Sequence, residues 1–193
     1  MIITALDFES TYMTDPNPRE LLITEIGAAL WDTEENKPVD LISDLVYDNE
    51  YPESPPELVE LTGITDGMLQ ENGIPPTMGL GRLNSFLEKS EAVVAHSGTF
   101  FDKPLYESNC ERFGLPIIER TWIDTRIDVD YPSHIKARKL AHLAAEHGFA
   151  NPFSHRAVFD ALTMMKVLGN YSFDRVLAKA HEPLLVGYAR VSF

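Results

Sequence analysis

A single cysteine, Cys110, stands in this 193-residue chain, so no internal disulfide can form. That usage fits a reducing compartment such as the cytoplasm, and Cys110 itself reads as a small hydrophobe packed on a helix. No apolar run approaches the ~18 residues that a membrane-spanning helix needs, so no membrane is expected as a partner. The opening stretch, MIITALDF, reads as a strand with no basic residues before it, so no secretory signal is expected. Internal repeats, low-complexity segments and a Gly-rich phosphate loop are all missing, as are GxSxG and Cys/His nucleophile arrangements. His142 and His147 sit five apart, off a common helix face, and do not make an HExxH zinc pattern.

Positive charge is scarce too. Lys and Arg total 16 against 30 Asp and Glu, giving a formal net charge of −14. Phosphate affinity normally comes from Lys and Arg, so this balance speaks against a protein that grips nucleic acid by its own charge. It leaves room for an enzyme that reaches phosphates through bound cations. The acidic excess lies between Asp32 and Glu71 and reads as a solvated face. Basic residues gather later, at Lys136, Arg138, Lys139 and Arg156.

What is present suits one domain. The length and a hydrophobic fraction of 44% are enough for a full-sized core. Ile2–Asp7, Leu21–Trp31 and Pro38–Tyr47 read as strands, joined by a Pro-rich turn and by a hairpin turn at Thr33–Lys37. Short polar connections between them predict an antiparallel meander. The pattern then changes. Pro55 and Pro56 open a short helix, and Met78–Lys89 places Leu80, Leu83, Phe86 and Leu87 at helical spacing. Short strands at Glu91–His96 and Thr121–Asp124 alternate with helices at Lys103–Phe113, Lys136–His147 and His155–Leu168. The expected fold is α/β, a mixed sheet of three antiparallel strands followed by parallel ones, flanked by helices. Residues 1–171 form this domain. Residues 172–193 read as a C-terminal helix and a strand-like extension, Leu184–Phe193, to which the sequence assigns no role.

Three short stretches carry chemistry. Asp7 and Glu9 end the first strand, and strand alternation turns i and i+2 to the same side. Two such carboxylates repel unless a cation intervenes, and their hard oxygens suit Mg²⁺ or Mn²⁺. By itself, DxE is also what two surface acids at a strand end look like. The second stretch, HSGTFFDKPLY (96–106), brings a buried strand into a small-residue loop and then Asp102 at a helix start. Asp102 there is equally a helix cap. The adjacent rings of Phe100 and Phe101 offer faces on which a base can stack. The third stretch, SHRAVFDAL (154–162), sets His155 at a helix start and Asp160 on that helix, off its apolar face. Asp is a poor helix-interior residue, and His is the natural general base near neutral pH. An exposed His and Asp on an ordinary helix would look the same.

Together, in this order, the three stretches resemble the DnaQ-like DEDDh 3′–5′ exonuclease family of the RNase H-like superfamily. The matching residues are Asp7-Phe8-Glu9, Phe101-Asp102, and His155 through Asp160 in an HxAxxD pattern, with support from Glu25-Ile26-Gly27-Ala28, Leu61-Thr62-Gly63-Ile64-Thr65 and Trp122-Ile123-Asp124-Thr125. The four residues between His155 and Asp160 mark the histidine subclass. Two departures stand out: His96-Ser97 where the family has His-Asn, and a longer Tyr12–Arg19 segment after DxE. The resemblance implies two divalent ions, Mg²⁺ or Mn²⁺, per active site. Asp7 would bridge them, Glu9 and Asp160 would complete one ion's site, and Asp102 would hold the other. His155 would serve as base. Ser10, Thr11, His96 and Phe101 are expected to contact the terminal nucleotide. The implied activity is 3′–5′ exonuclease cleavage releasing 5′-mononucleotides from a nucleic-acid 3′ end, single-stranded DNA favoured. The alternatives are an exoribonuclease, a polymerase-associated proofreading subunit, or an inactive nucleic-acid-binding module.

Overall fold

The computed structural model describes residues 1–12 and 17–181. The strand-like stretch Leu184–Phe193 lies outside them, as does part of the Pro-rich turn. Five strands, β1 (Ile2–Ser10), β2 (Ile23–Asp32), β3 (Lys37–Leu45), β4 (Ala92–Ala95) and β5 (Thr121–Asp124), form one sheet in the order β3-β2-β1-β4-β5. β1–β2 and β2–β3 pair antiparallel, whereas β1–β4 and β4–β5 pair parallel. This is the mixed sheet expected from the sequence. Seven α-helices accompany it among the described residues: α1 (Pro56–Thr62), α2 (Asp66–Asn72), α3 (Pro76–Lys89), α4 (Asp102–Arg112), α5 (Leu140–Glu146), α6 (Ala157–Leu168) and α7 (Phe173–Ala180). None is long and apolar enough to cross a membrane.

The sheet has a core on each face, and strand alternation sorts residues between them. On β1 and β2, Ile3, Ala5, Ala29 and Trp31 pack with Ala161, Met164, Met165 and Leu168 of α6. Their neighbours Leu6, Phe8, Ile26, Ala28 and Leu30 pack on the opposite face with Leu80, Leu83 and Leu87 of α3 and Leu105 of α4. The odd-numbered residues of β1, and those of β2 from Glu25 onward, therefore face α6, whereas Ile23, beyond the register irregularity, packs on the other face. Asp7 and Glu9 continue that row on β1, and Glu25 and Gly27 continue it on β2. The register sets Asp7 opposite Gly27 and Glu9 opposite Glu25. Val176 of α7 joins the α6-side core.

Several boundaries differ from the sequence reading, each for a physical reason. β1 runs to Ser10 because its last residues still pair with β2, with a register irregularity at Glu9/Ser10. α2, not expected, starts where the Thr65 hydroxyl accepts a hydrogen bond from the Met68 N–H. Residues 136–139 stay outside α5, and the Arg138 guanidinium lies 4.4 Å from the Tyr131 ring centre. α6 begins at Ala157, so His155 and Arg156 precede it, with His155 in the left-handed region at φ 61°.

Gly27 sets how closely α6 approaches the sheet. A Cβ there would sit 2.0 Å from the Ala157 carbonyl carbon and from the Val158 nitrogen. Those are backbone atoms that cannot swing aside as a side chain can. Gly27→Ala should therefore destabilise at or beyond the upper end of the ~1–3 kcal/mol typical of overpacking. In a chain of this size that corresponds to a fall in Tm of at least about 6 °C. A calorimetric Tm within a degree of the parent would show that α6 can retreat freely.

Candidate active site

The row of odd-numbered residues on β1 ends in Asp7 and Glu9, next to the start of α6 that Gly27 admits. Glu9, Asp160 and His155 each offer a ligand atom, and these atoms all lie within 4.8 Å of one another. Asp102 enters from the first residue of α4, buried beside β1. No side chain caps α4, so the helix-cap role open to Asp102 at that position is not the one it takes.

The electrostatics follow from burial and shared charge. Desolvation raises the Asp7 carboxyl well above its ordinary range, reinforced by Asp102, Glu9, Asp160 and Glu25. Burial, followed by the charges of Glu25, Asp160 and Asp102, raises Glu9 to about 9, with Arg156 pulling the other way. Asp102 is pushed up to about 8 by burial and by Asp124, partly offset by the backbone N–H groups of Asp102 and Phe8. Asp160 is raised chiefly by burial, and hydrogen bonding restrains the rise. Its carboxylate accepts the His155 N–H at 2.9 Å and the Asn151 side-chain amide. Asp160 thus also holds the loop that presents His155.

Glu25 is the residue that sequence reasoning placed only in a supporting match. It is 1% exposed and lies directly across from Glu9. Like charges opposite each other on a sheet repel. Arg156 answers with Nη2 at 2.7 Å and Nε at 3.0 Å from Glu25 Oε1, while the Ala157 N–H donates to Oε2 at 2.9 Å. Glu25 therefore caps α6 from 132 residues away and neutralises the nearest cation. The signal for it was a carboxylate two residues before a glycine on a buried strand.

A cleft beside the acids is lined by Phe8, Glu9, Ser10, Tyr12, Leu58, Leu61, Phe101 and His155. Ser10 and Phe101, expected at the substrate, are among these residues. Thr11 and His96 are not. Thr11 clasps the loop: its N–H donates to the Leu22 carbonyl at 2.9 Å, and its hydroxyl accepts the Leu22 N–H at 3.2 Å. His96 places Nδ1 2.8 Å from the Thr125 hydroxyl, and burial with nearby Arg126 lowers its pKa to about 4. Asp124 organises the turn leading to Asp102, accepting the N–H groups of Ser97, Thr99 and Arg126.

Hard oxygen donors, crowded and short of cations, are a donor set that fits Mg²⁺ or Mn²⁺. Asp7, Glu9, Asp102 and Asp160 would hold such ions. A metal-free site has a pH signature. A carboxyl whose folded pKa exceeds its unfolded value favours folding while protonated. Its contribution is complete below the unfolded pKa of about 4 and is lost as pH rises through the folded value. With Asp102 near 8 and Glu9 near 9, stability in EDTA should fall from about pH 5 to about pH 9. Asp7→Asn, which removes the most surrounded charge, should raise the metal-free Tm at pH 8 and flatten the slope. Melting curves across pH that are flat for the parent, or equally steep for both proteins, would show that the acids do not share a site.

Over residues 4–168 the sequence matches the RNase_T family model, Exonuclease. DNA polymerase III PolC-type from Mycoplasma genitalium is 30% identical over 118 residues, which are 58% of this chain and 8% of that protein. The chain thus spans less than a tenth of the length of this relative. Among solved structures, the nuclease domain of 3'hExo, a DEDDh family member, bound to rAMP, aligns with a TM-score of 0.70 at 17% identity, over 88% of this chain and 90% of that one. E. coli exonuclease I in complex with a dT13 oligonucleotide gives 0.75 at 15% identity, over 88% and 40%. The sequence match over residues 4–168, joined to this fold, makes the chain a member of the RNase_T exonuclease family.

Proposed function

We propose that the chain removes 5′-mononucleotides one at a time from a free 3′ end of single-stranded DNA. The observation that carries this reading is the convergence of Glu9, Asp160 and His155 within 4.8 Å, with Asp7 and Asp102 near enough for their charges to act on Glu9 or on each other, beside an open cleft. Two divalent ions, Mg²⁺ or Mn²⁺, held by these carboxylates would supply an acidified water and neutralise charge gathering at phosphorus. Asp7 feels the charges of both Asp102 and the Glu9–Asp160 pair, which supports it as the carboxylate that would serve both ions.

The chain's own groups do the rest. The terminal nucleotide enters the cleft, where Phe101 offers a ring and Leu58 and Leu61 an apolar wall. Ser10 stands at the same wall, its hydroxyl donating to the Tyr12 carbonyl at 2.9 Å. His155 is exposed at the cleft mouth and takes the proton from the attacking water. Glu25 and Arg156 keep its loop seated. Preference for DNA is supported by the similarity to a PolC-type DNA polymerase III, and the same likeness supports proofreading as the setting. The 3'hExo structure with rAMP supports an exoribonuclease as the second reading.

Digestion of matched, end-labelled DNA and RNA oligonucleotides, with Mg²⁺ and with Mn²⁺, tests substrate and cofactor together. DNA is expected to shorten faster than RNA, and a 3′-phosphate should slow the reaction strongly while a blocked 5′ end does not. The reverse sensitivity would contradict the direction. His155→Ala should lower kcat by about 10²–10⁴-fold with KM little changed. Near-parental kcat in this variant at neutral pH would remove His155 from the proton transfer.

A further inference from the structure

The loop that presents His155 and the first turn of α6 together present two aromatic rings that the chemistry above does not use. Phe153 and Phe159 are 54% and 40% exposed, with ring centres 4.7 Å apart and planes tilted by 46°. Phe153 precedes His155 by two residues, and Phe159 immediately precedes Asp160. The pair is fixed by the same contacts as the site. The Phe153 N–H donates to the Asn151 side-chain oxygen at 3.0 Å, and the Asn151 amide donates to Asp160. The Phe153 carbonyl accepts the Arg156 N–H at 3.2 Å.

Charge says what this surface can hold. A strand threading the cleft brings phosphates to a chain of net charge −14. Among the described residues, three cations on or next to the site's elements are answered by carboxylates. Arg156 pairs with Glu25 at 2.7 Å, Arg19 with Glu111 at 2.6 Å and Glu107 at 3.4 Å, and Lys103 with Glu107 at 3.8 Å. Those three therefore add little phosphate pairing, the usual source of nucleic-acid affinity, at the site. Stacking of bases on aromatic faces needs no cation and tolerates any sequence.

We infer that the exposed Phe153–Phe159 pair is a stacking platform for an unpaired nucleobase on the 5′ side of the terminal nucleotide. This rests on the nuclease reading of the site and deepens it. The strand is held by its bases, which must be free of a complementary strand. Binding should then depend only shallowly on salt, since few counterions are released.

The test is a cycle between rings and bases, read as kcat/KM on oligothymidylates. One substrate is intact, and three others each lack one base at successive positions 5′ to the terminal nucleotide. For the parent chain, one of these deletions should lower kcat/KM by roughly 5- to 150-fold, the range that stacking one base on an aromatic ring is worth. The double variant Phe153→Leu, Phe159→Leu should lose a similar factor on the intact oligonucleotide and less than twofold more when that base is removed. The parent measurements need no variant, so a folding defect cannot blur them. A parent chain that degrades every substrate equally overturns the platform and leaves the nuclease reading intact. A double variant that keeps the full sensitivity to base removal overturns it too. A parent chain that degrades none of them overturns the nuclease reading, and the platform falls with it.

Discussion

Carboxylates repel, and this fold gathers five of them. Asp7 feels the charges of Glu9, Glu25, Asp102 and Asp160, and the local counterweight from a side chain is Arg156. Buried like charges raise one another's pKa and weaken the folded state unless something offsets them. Two offsets divide the work. Glu25 is answered within the chain by the Arg156 guanidinium and the Ala157 N–H. On the proposed reading the remaining four would be offset by divalent cations, which would let an acidic chain act on an acidic polymer.

The rest of the architecture serves that arrangement. The alternation that buries Ile3 and Ala5 against α6 also aims Asp7 and Glu9 toward the start of that helix. Gly27, opposite Asp7, lets the helix come close enough for Asp160 to meet them. Asp160 in turn holds the His155 backbone in its left-handed conformation. On the other side, Asp124 anchors the turn that delivers Asp102. The acids come from β1, α4 and α6, so the site exists only when the sheet and both of these helices are assembled.

Much of this was legible in sequence because it depends on local periodicity. Strand alternation placed Asp7 and Glu9 on one side, and the apolar rows marked α3 and the two-sided burial of β1 and β4. What escaped depends on contacts distant in sequence. The start of α6 is set by Glu25 from the second strand, whereas a local reading began the helix at His155. Residues 136–139 have a helical look, yet Arg138 lies over Tyr131 and the helix waits until Leu140. Thr11 and His96 read as substrate contacts from their places beside the motifs. Their side chains are engaged with the Leu22 backbone and with Thr125, partners that alternation and spacing do not reveal.

The central claim is that Asp7, Glu9, Asp102 and Asp160 form one site whose raised pKa values a divalent cation reverses. Titration calorimetry of Mn²⁺ at pH 7, repeated in buffers of different ionisation enthalpy, measures it directly, because metal binding expels protons that the ligands still carry. The account predicts release of about one proton or more on loading the site. It also predicts that Asp7→Asn and Asp102→Asn each reduce both the release and the affinity. Binding without proton release, or with one of these variants indistinguishable from the parent, would contradict it.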